Sequence, residues 1–387
     1  MDKTKLRVTV SVFCIALAFG LNITGITPVL GVLSEKYARM GTSTVQLMQT
    51  LPYALLMAGS LLIGWLTTRF TKKKLVLSGM ILIGVCGMLP FFSDSFALLF
   101  ASRLLIGFGF GIVGPLNTAI IADFFDEDHR AGLLGLHVVG MGIGTMLGNL
   151  IGGVLSGGGY QRFFLVYALA FVTALAVFAC LEERPVTVSE KGEGMRLNGR
   201  VYLISLAGFV HTLCINVYST NVAIYVLKYI TDNTAVTGII TTVNAAFALL
   251  VGAMFGKVAA VFKKYTLGFA ILAAAAGYAS MLWLPGVAAV YVGSALRGVS
   301  LSCFNARGSY LISVSVDNCA VAKASGMFAV IGGIGGLISP VLLGAVSSGI
   351  WGENTTLGQF ELAFVGMLVL GTATVLYERF DKSVAAN

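Results

Sequence analysis

The chain has 387 residues, of which 57% are hydrophobic and only 11% charged, and it carries a formal net charge of +8. An ordinary soluble domain has about a quarter of its residues charged, so this composition excludes a water-soluble globular protein. The positive charge does not require a nucleic-acid partner, because basic loop residues can face anionic lipid head groups.

Twelve apolar runs follow one another along the chain, each about the length that crosses a bilayer. A hydrocarbon core of about 30 Å needs about 20 apolar residues in a helix. The runs are 8–33, 45–68, 75–92, 96–121, 133–155, 163–181, 201–227, 236–256, 265–284, 287–311, 324–345 and 362–377. The first is too long for a signal-peptide core and lacks a small-residue cleavage site, so we expect it to be a membrane helix.

Most lysines and arginines fall in the loops that share a side with the N-terminus. Because such loops stay cytoplasmic, we expect a multi-pass protein of the cytoplasmic (inner) membrane with both termini inside. Basic loop residues then face anionic lipid head groups, so the bilayer is the expected partner and nucleic acid is not. These residues are Lys72, Lys73, Lys74, Lys263 and Lys264. We expect a monomer.

The six cysteines are scattered along the chain, with no CxxC spacing for a metal or a redox pair. We therefore predict small packing residues, and neither a metal nor a cofactor.

One internal loop, 181–200, is long and polar, with the Pro, Gly and mixed charges typical of linkers. It predicts an N-terminal six-helix bundle at 1–181, a cytoplasmic linker at 182–200 and a C-terminal six-helix bundle at 201–387. Features recur between the halves at offsets of 191 to 194, which indicates two parallel repeats with a pathway between them. The recurring pairs are Gly64 with Gly256, Gly107 with Gly298, Gly152 with Gly344, and Asn22 with Asn216.

Three groups of residues together resemble the major facilitator superfamily over essentially the whole chain. Gly64, Arg69 and the lysines 72–74 are similar to its signature loop between helices two and three. Arg103 and Gly107 are similar to its fourth-helix Arg-x-x-x-Gly motif, and Asp123 with Arg130 to its charged marks after helix four. The resemblance implies an all-α integral membrane fold of twelve transmembrane helices in two six-helix bundles. It also implies that Arg103 often borders the central cavity.

The chain departs from the family pattern in two places. Thr68 and Thr71 replace the Asp and Gly of the signature loop, so the gating salt bridge of that Asp is missing from the motif. In helix five, glycines fit the pattern common in antiporters, but Asn149 stands where a Pro is usual. These glycines are Gly144, Gly148, Gly152 and Gly153. A proline, Pro340, occupies the repeat-related place in helix eleven.

The segment Gly109-x-Gly111-x-x-Gly114 has the spacing of a dinucleotide-binding fingerprint. That fingerprint needs a preceding strand and a tight turn, whereas these glycines lie inside an apolar helix. Gly107, Gly111 and Gly114 fall on one helical stripe, so we predict close backbone packing against a neighbouring helix.

Two arginines, Arg103 and Arg297, lie within predicted spans that contain no Asp or Glu. A charged arginine at mid-membrane is costly, so something must offset it. Arg297 is our first choice for binding an anionic substrate, because its planar fork suits a carboxylate or phosphate; hydroxyl or carbonyl bonding is the alternative. For Arg103, a stiffening role at a helix interface and a ligand role remain equally open.

Helix seven carries a polar face formed by His211, Cys214, Tyr218, Asn221 and Tyr225. His211 lies near the depth of Arg297 and is the candidate for carrying a coupling proton, with a hydrogen-bonded structural histidine as the alternative. Tyr218 and Asn221 are candidate substrate ligands, as is Asn22 in the first helix. His137 is a weaker candidate.

These features predict a secondary active transporter that binds a small organic anion or similar metabolite by alternating access, driven by protons. The alternative is a proton-antiport efflux pump for drugs or metabolites. A membrane-embedded enzyme or sensor is a third possibility, but HExxH, GxSxG and phosphate-loop motifs are absent, so we predict no enzymatic activity.

Overall fold

The computed structural model describes residues 3–21, 25–125, 127–184, 198–316, 321–353 and 355–380, and within them the chain is helical, without a strand. The α-helices are α1 (Lys3–Gly20), α2 (Leu30–Lys36), α3 (Thr42–Thr50), α4 (Pro52–Leu66), α5 (Lys72–Met88), α6 (Phe96–Phe124), α7 (Glu127–Leu155), α8 (Leu169–Cys180), α9 (Gly199–Tyr229), α10 (Thr234–Ala253), α11 (Phe255–Phe262), α12 (Thr266–Trp283), α13 (Val287–Ser313), α14 (Val321–Trp351) and α15 (Thr356–Phe380). Short 3₁₀ turns extend several of their ends, and the longest, Tyr160–Ala168, leads into α8.

Eleven helical segments of the described chain are long and apolar enough to cross a bilayer. The protein is therefore a multi-pass membrane protein. Several helices begin or end at other residues than the predicted apolar runs, because polar residues can belong to a helix and an apolar run can continue beyond one. The first helix begins at Lys3 and ends at Gly20, not at 8 and 33, and the last extends from Thr356 to Phe380.

Local signals explain several helix starts. Ser95 accepts a hydrogen bond from the backbone N–H of Leu98 at the start of α6, and Asn198 does the same for Val201 at the start of α9. Each side chain satisfies a backbone donor that has no partner within its helix. Gly286 precedes α13 with a φ of 84°, a conformation that favours glycine.

The contacts divide the chain into two compact units. One contains Met1–Arg39, Met48–Lys191 and Asn233–Thr242, and its main helix pairs are α1 with α7, α4 with α6, and α5 with α6. The other contains Met40–Leu47, Gly192–Asp232 and Val243–Asn387, and its main pairs are α9 with α14, α12 with α13, and α12 with α15. The predicted division at residues 181 and 201 remains a prediction.

The glycines of α6 bring its backbone against α4. A Cβ atom on Gly107 would lie 2.0 Å from the carbonyl oxygen of Pro52, and one on Gly111 would lie 2.3 Å from that of Leu56. Real Cβ atoms do not approach an oxygen so closely, so only glycine allows this packing. The interpretation of the glycine stripe as a packing surface is confirmed.

The same contact recurs in the second half of the chain. A Cβ on Gly298 of α13 would lie 2.3 Å from the carbonyl oxygen of Asn244 in α10. Gly298 follows Gly107 by 191 residues, and Asn244 follows Pro52 by 192. Equivalent helices therefore pack through equivalent backbone atoms, as the predicted repeat requires.

A second pair of contacts repeats in the same way. A Cβ on Gly144 of α7 would lie 2.1 Å from the carbonyl oxygen of Leu17 in α1, and one on Gly335 of α14 would lie 2.5 Å from that of Phe209 in α9. The offsets are again 191 and 192 residues. The glycines of helix five thus have a packing role.

Candidate functional site

Arg297 joins three helices through its guanidinium. Its side chain is buried in α13, where Nη1 donates to Asn244 Oδ1 of α10 (2.7 Å) and Nη2 donates to Ser219 Oγ of α9 (3.0 Å). The guanidinium carbon lies 5.2 Å from the centre of the Tyr218 ring, a cation–π distance. Both acceptors are neutral, so these contacts orient the positive charge without cancelling it.

A second set of hydrogen bonds fixes these partners. Tyr218 donates its hydroxyl proton to Ser294 Oγ (2.7 Å), and the Asn244 amide nitrogen donates to the carbonyl oxygen of Ser294 (2.9 Å). With its nitrogen engaged there, the Asn244 amide directs its oxygen to Arg297. The cluster of Arg297, Asn244, Ser219, Tyr218 and Ser294 is hereafter called the arginine cluster.

The hydroxyl group of Tyr278 contacts the backbone of α9 beside this cluster. The hydroxyl oxygen of Tyr278 in α12 accepts from the N–H of Tyr218 (3.1 Å), and its proton is donated to the carbonyl oxygen of Cys214 (2.7 Å). Those two backbone groups are the donor and acceptor of one helical turn, so the Tyr278 hydroxyl lies against both of them.

His211 contacts the same helix as Arg297. Its Nε2 is hydrogen-bonded to Ser300 Oγ (3.1 Å), and its ring stacks on Phe304 with 3.7 Å between ring centres. Ser300 lies three residues after Arg297, and therefore on the same side of α13. The histidine is thus buried one turn away from Arg297, held by a hydroxyl group and an aromatic ring.

Asn221 belongs to a triangle of side-chain amides. Gln46 donates to Asn221 Oδ1 (2.7 Å), Asn221 donates to Gln359 Oε1 (2.8 Å), and Gln359 donates to Gln46 Oε1 (3.1 Å). All three amides are buried, and each accepts one bond from a neighbour and donates one. The structure therefore places Asn221 one turn after Tyr218 on α9, bonded to these amides.

Arg103 belongs to the other unit. Its side chain is fully buried, Nη1 donates to the Tyr167 hydroxyl (2.7 Å), and the guanidinium carbon lies 5.6 Å from the Tyr167 ring. Its Nε and Nη2 make no hydrogen bond to the described residues. The glycine one turn further on, Gly107, is the one that contacts Pro52.

The motif residues of the loop between α4 and α5 form a polar cluster with Asp123 at the end of α6. Lys72 Nζ contacts both carboxylate oxygens of Asp123 (2.8 and 2.6 Å), and the Arg184 guanidinium donates to the backbone oxygen of Asp123. Two other basic residues of the motif contact aromatic rings, Arg69 that of Trp65 and Lys73 that of Phe178.

Three further motif residues are Thr68, Gly64 and Arg130. Thr68, which replaces the family's Asp, donates only within its own turn, to the carbonyl oxygen of Trp65 (2.7 Å). Gly64 lies in the last turns of α4. Arg130 lies in the first turn of α7, but its side chain falls outside the described part of the structure.

Glu183 holds the beginning of the linker to this loop. It accepts from Thr71 Oγ1 (2.7 Å) and forms an ion pair with Lys74 (3.4 Å). The hydrogen bonds from Thr71 and Lys74 hold the pKa of the Glu183 carboxyl below its ordinary value. The segment that follows α8 is therefore anchored by charge.

The remaining polar candidates have other positions. Asn22 lies outside the described residues. Asn216 donates to the carbonyl oxygen of Gly336 in α14 (2.8 Å), and His137 Nδ1 is 2.6 Å from the amide nitrogen of Asn117. Within the described ranges no group of three or more His, Cys, Asp or Glu side chains could hold a metal ion.

The sequence alone did not identify all members of the arginine cluster. No motif or helical face in the sequence points to Ser219 or Asn244 as partners of Arg297. Ser219 follows Tyr218 directly, and Asn244 is the repeat equivalent of Pro52, the residue that contacts Gly107. That equivalence is the signal that could have placed Asn244 beside α13.

A membrane protein built from two helical repeats, with an oriented arginine in the second, belongs to the class of polytopic helical carriers. A family model described as the Major Facilitator Superfamily matches residues 12–202, and this match confirms the resemblance that the sequence motifs indicate. The crystal structure of a bacterial homolog of the human lysosomal transporter Spinster has the same fold, with a TM-score of 0.76 at 16% identity over 98% of both chains.

Two curated relatives match parts of the chain. The sphingosine-1-phosphate transporter SPNS2 of Danio rerio is 27% identical over 192 residues, 48% of this chain and 38% of the relative. The methyl viologen resistance protein SmvA of Salmonella typhimurium is 39% identical over 106 residues, 27% of this chain and 21% of the relative. The match therefore spans less than two fifths of the length of either relative.

Proposed function

We propose that the protein is a secondary active transporter that moves a small organic anion across the cytoplasmic membrane by alternating access. The observation that carries this proposal is the arginine cluster, in which Arg297 is buried and its guanidinium is oriented by hydrogen bonds to Asn244 and Ser219. The superfamily and the relative named as a sphingosine-1-phosphate transporter support a transport function.

The energetics favour an anionic substrate. An arginine at the centre of a membrane helix costs about 2.5 to 3.5 kcal/mol on insertion scales. A carboxylate or phosphate supplies the negative charge that Asn244 and Ser219 lack, and charge-assisted bonds to a planar guanidinium are about twice as strong as neutral ones. Substrate binding thus offsets the cost of burying Arg297.

The arginine can be tested in proteoliposomes. We expect Arg297→Lys to raise the KM for a transported organic anion about tenfold or more, because an ammonium cannot reproduce the planar contacts of the guanidinium. Arg307→Lys, ten residues further along α13, is the matched control. If Arg297→Lys and Arg297→Ala both transport with unchanged affinity, the anion assignment is wrong.

Proton coupling is proposed for His211. The imidazole lies one turn from Arg297 along α13, between Ser300 and Phe304, and histidine is the side chain that most readily exchanges a proton near neutral pH. Anion accumulation in liposomes should then follow an imposed pH gradient, and His211→Gln should abolish the accumulation but keep anion exchange. His137→Gln is the control; equal accumulation by both variants contradicts the assignment.

A second candidate is proton-driven efflux of drugs or metabolites, which the similarity to the methyl viologen resistance protein favours. The helix-five glycines agree with it, although their contact with α1 is a packing contact. Cells that lack the gene should then become sensitive to methyl viologen while their uptake of labelled organic acids is unchanged. The reverse result supports the anion transporter.

The proposed transporter is a monomer with both termini in the cytoplasm, an orientation supported by the lysines of the loop between α4 and α5. Single cysteines introduced at Lys74, in the first turn of α5, and at Asp94, in the loop that follows α5, should react with a membrane-impermeant thiol reagent from opposite sides. Labelling of the Lys74 position from outside intact cells contradicts this topology.

A further inference from the structure

A cavity of about 390 Å³ opens where four helices of the second unit end near one another. Its lining is almost wholly apolar and comes from α9, α12, α13 and α15. The side chains that form it include Leu206, Val210, Leu267, Leu311, Leu370 and Ala373. The cavity does not include any member of the arginine cluster.

One carboxylate stands at this cavity. Glu378 of α15 lines it and is only 4% exposed, and its Oε2 makes no hydrogen bond to the described residues. Its favourable neighbours are the Arg307 guanidinium, the backbone N–H of Gly268 in the first turn of α12, and the Lys264 ammonium. No cation of the described chain comes within 4.0 Å of it.

Burial of the Glu378 carboxylate is energetically unfavourable. Burying a carboxylate costs several kcal/mol unless a cation and hydrogen-bond donors compensate it. The start of α12 supplies a partial positive charge, but one carboxylate oxygen still lacks a donor. A ligand with an N–H-bearing cation would complete the site.

The surroundings indicate where that ligand comes from. Leu206 and Tyr377, which line the cavity, are 58% and 48% exposed, and exposed apolar side chains on a membrane helix contact acyl chains. Arg200, at the start of α9, lines the same cavity and adds a positive group to its lining. A carboxylate and a guanidinium together match a zwitterion.

We propose that this cavity binds a bilayer phospholipid whose head group carries a primary ammonium. The ammonium donates to Glu378, the phosphate lies near Arg200, and one acyl chain occupies the apolar cavity. A trimethylammonium head group has no N–H to donate, and an anionic head group without an amine brings no cation to Glu378. The site is separate from the arginine cluster and does not depend on the proposed transport function.

The lipid specificity can be measured on the purified full-length protein in detergent. Phosphatidylethanolamine, phosphatidylcholine and phosphatidylglycerol with identical acyl chains are added back, and binding is followed by native mass spectrometry and by the shift in Tm. We expect phosphatidylethanolamine to bind about tenfold more tightly than the other two. Equal binding of the phosphatidylethanolamine and phosphatidylcholine overturns the proposal.

Two variants locate the site. Glu378→Gln should remove the preference for phosphatidylethanolamine, whereas Glu361→Gln, an exposed acid on the same helix, should retain it. Ala373→Trp should fill the cavity and weaken phosphatidylethanolamine binding about tenfold. An undiminished preference in Glu378→Gln and Ala373→Trp contradicts the site. Binding of dodecylammonium but not of phosphatidylethanolamine would identify a free cationic amphiphile as the ligand and overturn the lipid assignment.

Discussion

Arg297 of α13 and Asn244 of α10 are joined by a 2.7 Å hydrogen bond between the guanidinium and the amide oxygen. The backbone oxygen of the same Asn244 is the atom against which Gly298, the residue after Arg297, packs. The side chain of Asn244 therefore orients the guanidinium of Arg297, and its main chain limits how closely α10 and α13 approach each other.

This relationship makes Asn244→Asp an informative substitution. A carboxylate at this position forms an internal ion pair with Arg297 and competes with an anionic substrate for the guanidinium. We expect the KM for the organic anion to rise at least tenfold while the protein remains folded. The measurement is uptake into proteoliposomes, with Tm as the check on folding.

The control for that variant is Asn305→Asp, which adds the same charge at an exposed position of α13. It should leave the KM within about twofold of the wild-type value. A wild-type KM in Asn244→Asp would show that Arg297 does not bind the substrate.

Helix existence and close packing could be predicted from the sequence because both are local properties. Apolar length identifies a span, and the spacing of Gly107 and Gly111 identifies a packing stripe without knowledge of its partner. The partners could not be predicted, since Ser219 and Tyr278 lie on other helices and their approach depends on the packing of the whole unit. Glu378 was missed for a different reason: the predicted span ended at Tyr377, one residue before it.

The two equivalent glycine contacts should be equally sensitive to an added methyl group. Gly107→Ala would place a Cβ 2.0 Å from the Pro52 oxygen, and Gly298→Ala would place one 2.3 Å from the Asn244 oxygen. Overpacking of this kind costs about 1 to 3 kcal/mol, so each variant should lower the Tm in detergent.

Gly326→Ala in α14 is the control, because nothing lies within 4 Å of the added Cβ. It should be neutral or slightly stabilising, since alanine favours a helix over glycine by about 1 kcal/mol. A Tm loss in Gly326→Ala as large as in Gly107→Ala would mean that helix flexibility, not contact, determines the effect.

The Tyr278 hydroxyl accepts from the Tyr218 N–H and donates to the Cys214 carbonyl oxygen in α9. Tyr278→Phe removes this acceptor and this donor together. We expect a destabilisation of about 1 to 3 kcal/mol, with faster hydrogen exchange at the Tyr218 amide. Calorimetry in detergent and exchange followed by mass spectrometry measure the two effects.

Tyr225→Phe is the matched control on the same helix, since that hydroxyl makes one bond, to the carbonyl oxygen of Met281 (3.0 Å). It should cost less than Tyr278→Phe and leave exchange at Tyr218 unchanged. Unchanged or slower exchange at Tyr218 in Tyr278→Phe would show that the hydroxyl does not stabilise this turn of α9.

Asp94, in the loop between α5 and α6, should make the stability of its unit depend on pH. Its carboxylate accepts from Lys36 (2.5 Å), from the Tyr160 hydroxyl and from Gln161 (2.7 Å). The bonds from Lys36 and Tyr160 hold the pKa of this carboxyl below its ordinary value. A carboxyl with a lowered pKa stabilises the folded state above the ordinary value of about 3.9, and that contribution is lost as the pH falls through the folded pKa.

Asp94→Asn removes the charge at every pH, so its Tm should be lower than that of the wild type between pH 5 and pH 8. The difference should shrink as the pH is lowered towards 3, because the wild-type carboxyl then takes up a proton as well. Asp232→Asn, in the exposed turn between α9 and α10, controls for the change in net charge. A Tm difference between Asp94→Asn and the wild type that stays constant down to pH 3 would show that the geometry of the loop, and not the charge of Asp94, provides the stability.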